Sequence, residues 1–474
     1  MIASSIFKYS FLFIISWLLG ITKVCGQVLP TFSNTNYPII VDSILINGNK
    51  KTKDYIIRRE LKIKKGDTLY RNNFDAALNQ SRQLVYNTNL FTEVKIESTY
   101  NDSAHIVLYV SVKEKWYIYP IPQFLLVDRN FNEWLNTYHG SLKRVTYGAK
   151  FAHYNFSGRR DQLRIYLLNG YQRNITIAYA APYSNPKLTE GFGVQASFTQ
   201  TQELSIQTNI NNKQITYKRP DFIYNNFSAG AFYTQRKGYY NRRTFSAGVE
   251  NIHVKDSLLV YHPDYLNTQS NTITYPRLEF SYKHTDVNNI NYPLMGLVYG
   301  VNVLKLGFKF KGDISLLQVS PGISAYIRHG KGWFSSMQLA GVLKLPFHQP
   351  YINQRALGYR EFYMKGLEYY VVDAVAAGLA SYTLKKRIVS FSLPIPIKNK
   401  IIDQIPFRIF AKSYVNTGYA YNKAPYINTL NNKMLYTGGF GIDLVTLYDI
   451  TFSVEYSFNQ LGEKGLFLHS KGGF

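Results

Sequence analysis

Cysteine is almost absent from this sequence. Cys25 is the only one in 474 residues, so no internal disulfide can form. Acidic residues are scarce too, with 29 Asp and Glu against 54 Lys and Arg. That scarcity argues against an enzyme built on clustered carboxylates. The nine His include no i,i+4 pair and no His-Glu-x-x-His. A Gly-x-Ser-x-Gly nucleophile turn and a phosphate-binding glycine loop are also missing. No enzymatic activity, cofactor or metal is therefore expected. Beyond the first 26 residues there is no run of 18 apolar residues, so no transmembrane helix is encoded. Charged residues make up 18% of the chain, below the roughly 25% of ordinary globular proteins. What is abundant is aromatic: 41 Tyr, 30 Phe and 4 Trp. Such a composition excludes a disordered chain.

The N-terminus reads as a secretory leader over residues 1–26. Lys8 supplies the positive region, and Ser10 to Leu19 is an apolar stretch too short to span a bilayer comfortably. Cleavage after Gly26 would start the mature chain at Gln27. A rival reading makes Cys25 a lipidated residue, although Val24 is large for that site. An exported chain this rich in Tyr and Phe is either a soluble all-β protein or a β-barrel in an outer membrane. The net charge of +25 becomes +23 once Lys8 and Lys23 leave with the leader. No nucleic-acid motif accompanies it, so nucleic acid is not expected as a partner. The basic residues are expected to meet anionic lipid headgroups or line a lumen. Lys385-Lys386-Arg387 reads as a solvated strand end.

Residues 38–114 mix helix and strand. Ile39 to Asn47 is a strand, and Gly48-Asn49 turns the chain. Thr52 is placed to cap a helix containing Ile56, Glu60 and Leu61, with Asp54 in its first turn. Gly66-Asp67 ends that unit. A second helix from about Asn73 to Tyr86 puts Phe74, Leu78 and Val85 on one face. Strands over Thr92–Thr99 and Ala104–Lys113 follow, for an order β-α-α-β-β.

From residue 115 to 474 the period is two. Ile450, Phe452, Val454, Tyr456 and Phe458 alternate with Thr451, Ser453, Glu455, Ser457 and Asn459. Ile175, Ile177 and Tyr179 alternate with Thr176, Ala178 and Ala180, and Ile323, Ala325 and Ile327 with Ser324, Tyr326 and Arg328. The apolar face suits lipid, and the polar face suits a wet or plugged interior. These 360 residues, at roughly 22 per strand and loop, give about 16 strands, an even number as antiparallel closure needs. The last strand, Gly465 to Phe474, places Leu466, Leu468 and Phe474 on one face.

The N-terminal segment resembles a POTRA domain. The resemblance rests on Ile44-x-Ile46-x-Gly48-Asn49, Thr52, Ile57, Arg59-Glu60-Leu61, Gly66-Asp67 and Leu90-Phe91-x-x-Val94. With a barrel behind it, the chain resembles the outer-membrane assembly and secretion family that includes BamA and TamA. Trp116 to Pro120 resembles that family's first barrel strand. Asp286 to Gly296 resembles its turn into a middle strand. Met364-Lys365-Gly366-Leu367-Glu368 resembles its conserved loop motif, with lysine where the family has arginine. The resemblance implies a mainly β fold, a single α+β POTRA domain before a transmembrane antiparallel barrel. It implies a bacterial outer membrane, with the POTRA domain in the periplasm. Unfolded outer-membrane or secreted proteins are the implied clients, and accessory lipoproteins are possible partners. A client would add to the POTRA edge at Glu93, Val94, Lys95, Ile96 and Glu97. The barrel seam would join about Tyr117–Leu125 to the last strand. The loop would fold into the lumen, more weakly held because lysine lacks the planar fork of donors. A dedicated secretion pore and a passive channel are the alternative readings.

Overall fold

The computed structural model describes residues 37–126, 139–263, 265–266, 270–308, 314–359, 362–394, 404–423 and 428–472. The expected leader and the terminal Phe474 lie outside these residues. No described helix is long and apolar enough to cross a membrane.

The N-terminal domain carries strands β1 (Pro38–Asn47), β2 (Thr68–Tyr70), β3 (Phe91–Tyr100) and β4 (His105–Glu114) in the order β2-β1-β4-β3. Helices α1 (Asp54–Glu60) and α2 (Arg71–Tyr86) pack on this sheet. Ile39, Val41, Ile56, Ile57, Phe74, Val85, Ile106 and Leu108 share its core. β1 and β4 run parallel and every other pair is antiparallel. Strand β2 was not expected; three residues are too few to show a period. β3 ends the sheet and pairs only with β4 among the described residues.

Two further expectations are corrected here. Thr52 does not cap α1, whose first flanking residue is Lys53 without a side-chain cap. The Thr52 hydroxyl is buried and meets the Tyr117 hydroxyl at 3.1 Å. Tyr117 itself precedes the first barrel strand. Its ring belongs to the POTRA core and its hydroxyl donates to the Leu90 carbonyl at 3.0 Å, so it is not a seam residue.

The barrel is a 16-stranded antiparallel sheet. Its first wall runs through β5 (Ile118–Leu126), β6 (Val145–Tyr154), β7 (Gln162–Gly170), β8 (Gln172–Ala181) and β9 (Glu190–Thr201). A separate hairpin, β10 (Glu203–Thr208) and β11 (Gln214–Lys218), then precedes β12 (Tyr224–Lys237) and β13 (Asn241–Val254). Next come β14 (Thr272–Val287), β15 (Gly296–Leu306), β16 (Leu316–Gly330) and β17 (Trp333–Leu345). Two short loop strands follow, β18 (Arg355–Leu357) and β19 (Val372–Asp373). The wall ends with β20 (Ala376–Pro394), β21 (Gln404–Tyr421), β22 (Met434–Val445), β23 (Thr451–Asn459) and β24 (Lys464–Lys471).

The period-two pattern sorts side chains as lipid contact requires. On β23, Phe452, Val454 and Phe458 are exposed outward while Thr451, Glu455 and Ser457 are buried inward. Ile175 and Ile177 on β8 are likewise exposed. Ladder bonds between neighbours satisfy the backbone groups that hydrocarbon cannot. The turn from β14 to β15 ends at Gly296, whose φ is +111°. A Cβ there would lie 2.0 Å from the Asp286 carbonyl oxygen, so only glycine fits.

The short turns at one end of the barrel meet the POTRA domain. Glu60, at the end of α1, is buried and bonds Arg236 of β12 through both oxygens, at 2.6 and 2.7 Å. The Tyr183 hydroxyl donates to the same carboxylate at 3.0 Å, and Tyr239 donates to the Leu61 carbonyl at 2.8 Å. Asn155 reaches Thr52 at 2.9 Å. On the other side, Tyr86 donates to Asp449 at 3.0 Å and the Asn87 amide donates to the Val287 carbonyl at 2.8 Å. Burial alone would raise the Glu60 carboxyl. Arg236, with a smaller contribution from Arg59, outweighs it and holds the group below the usual carboxylate range.

Glu60→Gln should leave the Arg236 guanidinium without its counter-charge, at a cost of about 3–5 kcal/mol. Thermal unfolding and protease release of the N-terminal domain measure it. Because the folded carboxyl is depressed, the ion pair's contribution is complete above the ordinary value of 4.5 and is lost only as pH falls through the lower folded value. The junction should therefore hold at about pH 5 and loosen in stronger acid. Loosening already near neutrality would refute this assignment.

Candidate functional site: an inserted loop beside an unpaired seam

β17 and β20 are joined by residues 346–375. This segment folds back into the barrel. Met364 and Leu367 are buried with Leu357, Tyr370 and Val372 from the same segment, and with Ala420 and Leu435 of the wall. Gly366 sits at the closest approach, with φ +90°. A Cβ there would lie 3.3 Å from the Phe458 carbonyl oxygen and from side chains of Ser457 and Thr437. Asn459 donates to the Gly366 carbonyl at 2.8 Å. The loop glycine is thus the residue that lets the backbone touch β22 and β23.

Lys365 reaches the inner wall. Its Nζ lies 2.8 Å from Glu455 Oε1 and 4.5 Å from the centre of the Tyr414 ring. Glu455 is 1% exposed, so this is a desolvated charge pair rather than a surface one. A chain of ions continues along the wall. Lys412 bridges Glu455 and Asp443, and Lys385 contacts Asp443 at 3.1 Å. The Tyr292 hydroxyl donates to Asp443 at 2.8 Å, and Ser453 donates to it at 2.6 Å. Lys385 was expected at a solvated strand end; it points into the lumen from the middle of β20 instead. Lysine makes one point contact where a guanidinium would make a fork, and the Tyr414 face supplies a second attraction.

The other residues of the motif extend the contact. Glu368 Oε2 accepts from the Gly366 amide at 2.7 Å. Tyr370 donates to Glu463 at 2.5 Å. The Tyr369 ring lies 5.4 Å from that of Phe467, on the inward face of β24.

β5 and β24 end the sheet order. Among the described residues β5 pairs only with β6, and β24 only with β23. Leu466 and Leu468 point outward, Leu468 being 74% exposed. Glu93, Val94, Lys95, Ile96 and Glu97 all lie on the terminal POTRA strand β3. The structure keeps these three groups apart: the POTRA edge, the loop motif and the outward face of β24. Sequence reading missed Lys412, Asp443, Lys385, Tyr292 and Arg236. Their signal was charge at inward positions of strands, and for Tyr292 a hydroxyl in the turn between β14 and β15.

Lys365→Met keeps the stem and removes the charge. Glu455 retains Lys412, so the loss should be that of one charge-assisted hydrogen bond, about 1.5–3 kcal/mol. The temperature at which the folded barrel loses its fast gel mobility should fall accordingly. An unchanged temperature would show that the apolar residues alone hold the loop.

Residues 39–115 match the POTRA family, described as a surface antigen variable number repeat. No curated protein matches the sequence. Solved structures do match in fold. BamA from Haemophilus ducreyi lacking POTRA domains 1–3 aligns with a TM-score of 0.50 at 14% identity, over 91% of this chain and 84% of that one. CdiB from Escherichia coli aligns with a TM-score of 0.52 at 10% identity, over 91% and 75%. With the POTRA match, this likeness gives the chain the BamA/TamA-like fold, one POTRA domain followed by a 16-stranded barrel.

Proposed function

We propose that this protein sits in a bacterial outer membrane, with its POTRA domain in the periplasm, and helps other envelope proteins into or across that membrane. One observation carries the reading: a POTRA domain with a terminal strand is docked at the mouth of a barrel whose first and last strands are unpaired with each other among the described residues. An unfolded client can add to β3 by main-chain hydrogen bonds, with little regard to its side chains. At the seam, the free edges of β5 and β24 offer the same chemistry in hydrocarbon, where an unpaired backbone group is costly.

Two features support opening at that place. β5 contains Pro120 and Pro122, both opposite β6 residues in the ladder. Two residues apart, their donor-less nitrogens lie on the same edge of the strand, and proline is tolerated on the edge without ladder bonds. The wall is also short there. Among the described residues β5 has 9 and β24 has 8, against 19 in β20 and 18 in β21. A short hydrophobic wall thins the adjoining bilayer and eases entry. Dedicated export of one partner protein is a second reading. It requires the inserted loop to leave the lumen.

The chain has no cysteine after Cys25, so one engineered in β5 and one in β24 can be cross-linked cleanly. Oxidation should stop the accumulation of client proteins in the outer membrane, and a reductant should restore it. Unchanged accumulation with the seam locked would rule the route out. A form lacking residues 38–114 should lose the same activity; a passive channel would keep its conductance.

A further inference from the structure

Three side chains from distant parts of the sequence converge beside the inserted loop. Glu368 lies on the loop, Glu455 on β23 and His469 on β24. His469 Nε2 is 3.4 Å from Glu368 Oε1 and 3.4 Å from Glu455 Oε2. All three atoms are buried, and none has a hydrogen-bond partner. One donor atom from each residue lies within 4.8 Å of the others. The opposite oxygen of each carboxylate is already held. Glu368 Oε2 accepts from the Gly366 amide, and Glu455 Oε1 is bound by Lys365 and Lys412. The protein thus fixes both carboxylates by one oxygen and aims the other at the same point.

A buried acceptor without a partner costs on the order of 1–3 kcal/mol, and more when it is charged. Two such carboxylate oxygens aimed at one unpaired imidazole nitrogen call for a cation. A proton on His469 fits the spacing poorly, because charge-assisted N–H···O bonds close to about 2.7–2.9 Å. A metal ion fits it better. Bonds of about 2.0–2.2 Å to imidazole nitrogen and carboxylate oxygen set neighbouring donors about 3.4 Å apart in tetrahedral geometry, the separation of both His469–carboxylate pairs, and the two carboxylate oxygens lie within 4.8 Å. One imidazole and two carboxylates suit a divalent first-row ion. We propose that Glu368, Glu455 and His469 form a binding site for a divalent transition metal, of which zinc takes one imidazole and two carboxylates readily. Three protein donors leave one coordination position open. The bound ion would tie β24, the last strand of the sheet, to the loop and to β23. The inference stands apart from the client reading, since metal binding can be measured whether or not the protein handles clients.

Untagged full-length protein in detergent, stripped with a chelator and titrated with zinc chloride, should bind one equivalent. His469→Gln and Glu368→Gln should each weaken binding by tenfold or more. Their folding is checked by heat-dependent gel mobility. Lys365→Met should act in the opposite direction and tighten binding, because Lys365 competes with the ion for the Glu455 charge. Absence of stoichiometric zinc, or equal affinity in His469→Gln, would overturn the proposal.

Discussion

The molecule is governed by what hydrocarbon does to an unpaired peptide group. Within a bilayer neither N–H nor C=O finds water, so every strand of the wall needs a neighbour on each side. Strands β6 to β23 of the wall meet that demand through continuous antiparallel ladders. β5 and β24 meet it on one side only, among the described residues. The fold therefore concentrates its backbone deficit along one line. It also places there the features that make pairing weak, namely two prolines and short strands. A deficit confined to one line is specific: it selects partners that carry an extended backbone.

The interior follows a different rule. A barrel of this size is too wide for apolar side chains to fill. The inserted loop occupies part of that space, and ions fasten it to the wall. From Lys365 on the loop, the ions run through Glu455 of β23, Lys412 of β21 and Asp443 of β22 to Lys385 of β20. Desolvation makes each such pair costly to form and more costly to break singly. Such a network specifies one seating of the loop more than it adds to overall stability. Apolar contacts from Met364 and Leu367 provide the non-directional part.

Much of this was legible in the sequence, because the strongest signals are periodic. The alternation on β23 identified its lipid face, and the strand arithmetic matched the wall. The POTRA core was legible through its resemblance to a known pattern, and Ile44, Ile57, Leu90 and Val94 from that pattern are all buried. The failures share a cause. Thr52 looked like a cap because cap residues are defined locally, yet its partners are Tyr117 and Asn155, the latter from a barrel turn. Tyr117 looked like the start of a strand, yet its ring completes the domain before it. Lys385 looked solvated because its neighbours in sequence are basic, while its partner Asp443 lies on another strand. Glu60 carried a signal that could have been weighed differently. It is a carboxylate in line with the apolar Ile56 on a short helix, and such a residue faces either a core or a partner. The partner is Arg236, and nothing local points to a residue so far along the chain.

These long-range pairs also connect the parts of the molecule. The loop touches β23 through Lys365 and Gly366, and β24 through Tyr363 and Tyr369. The ring of Tyr363 lies 5.7 Å from His469, and that of Tyr369 lies 5.4 Å from Phe467. β24 has no partner strand at the seam among the described residues, so its inward face is held largely by the loop. Loop and seam are then one mechanical unit. If the loop leaves the lumen, β24 loses these contacts and keeps only its ladder with β23. If the seam opens first, the loop loses its outermost support while its salt bridge to Glu455 remains. The second order breaks fewer desolvated contacts at once. On energetic grounds, then, the proposed route has widening of the wall precede clearing of the lumen, and so sideways delivery into the membrane rather than passage through the barrel.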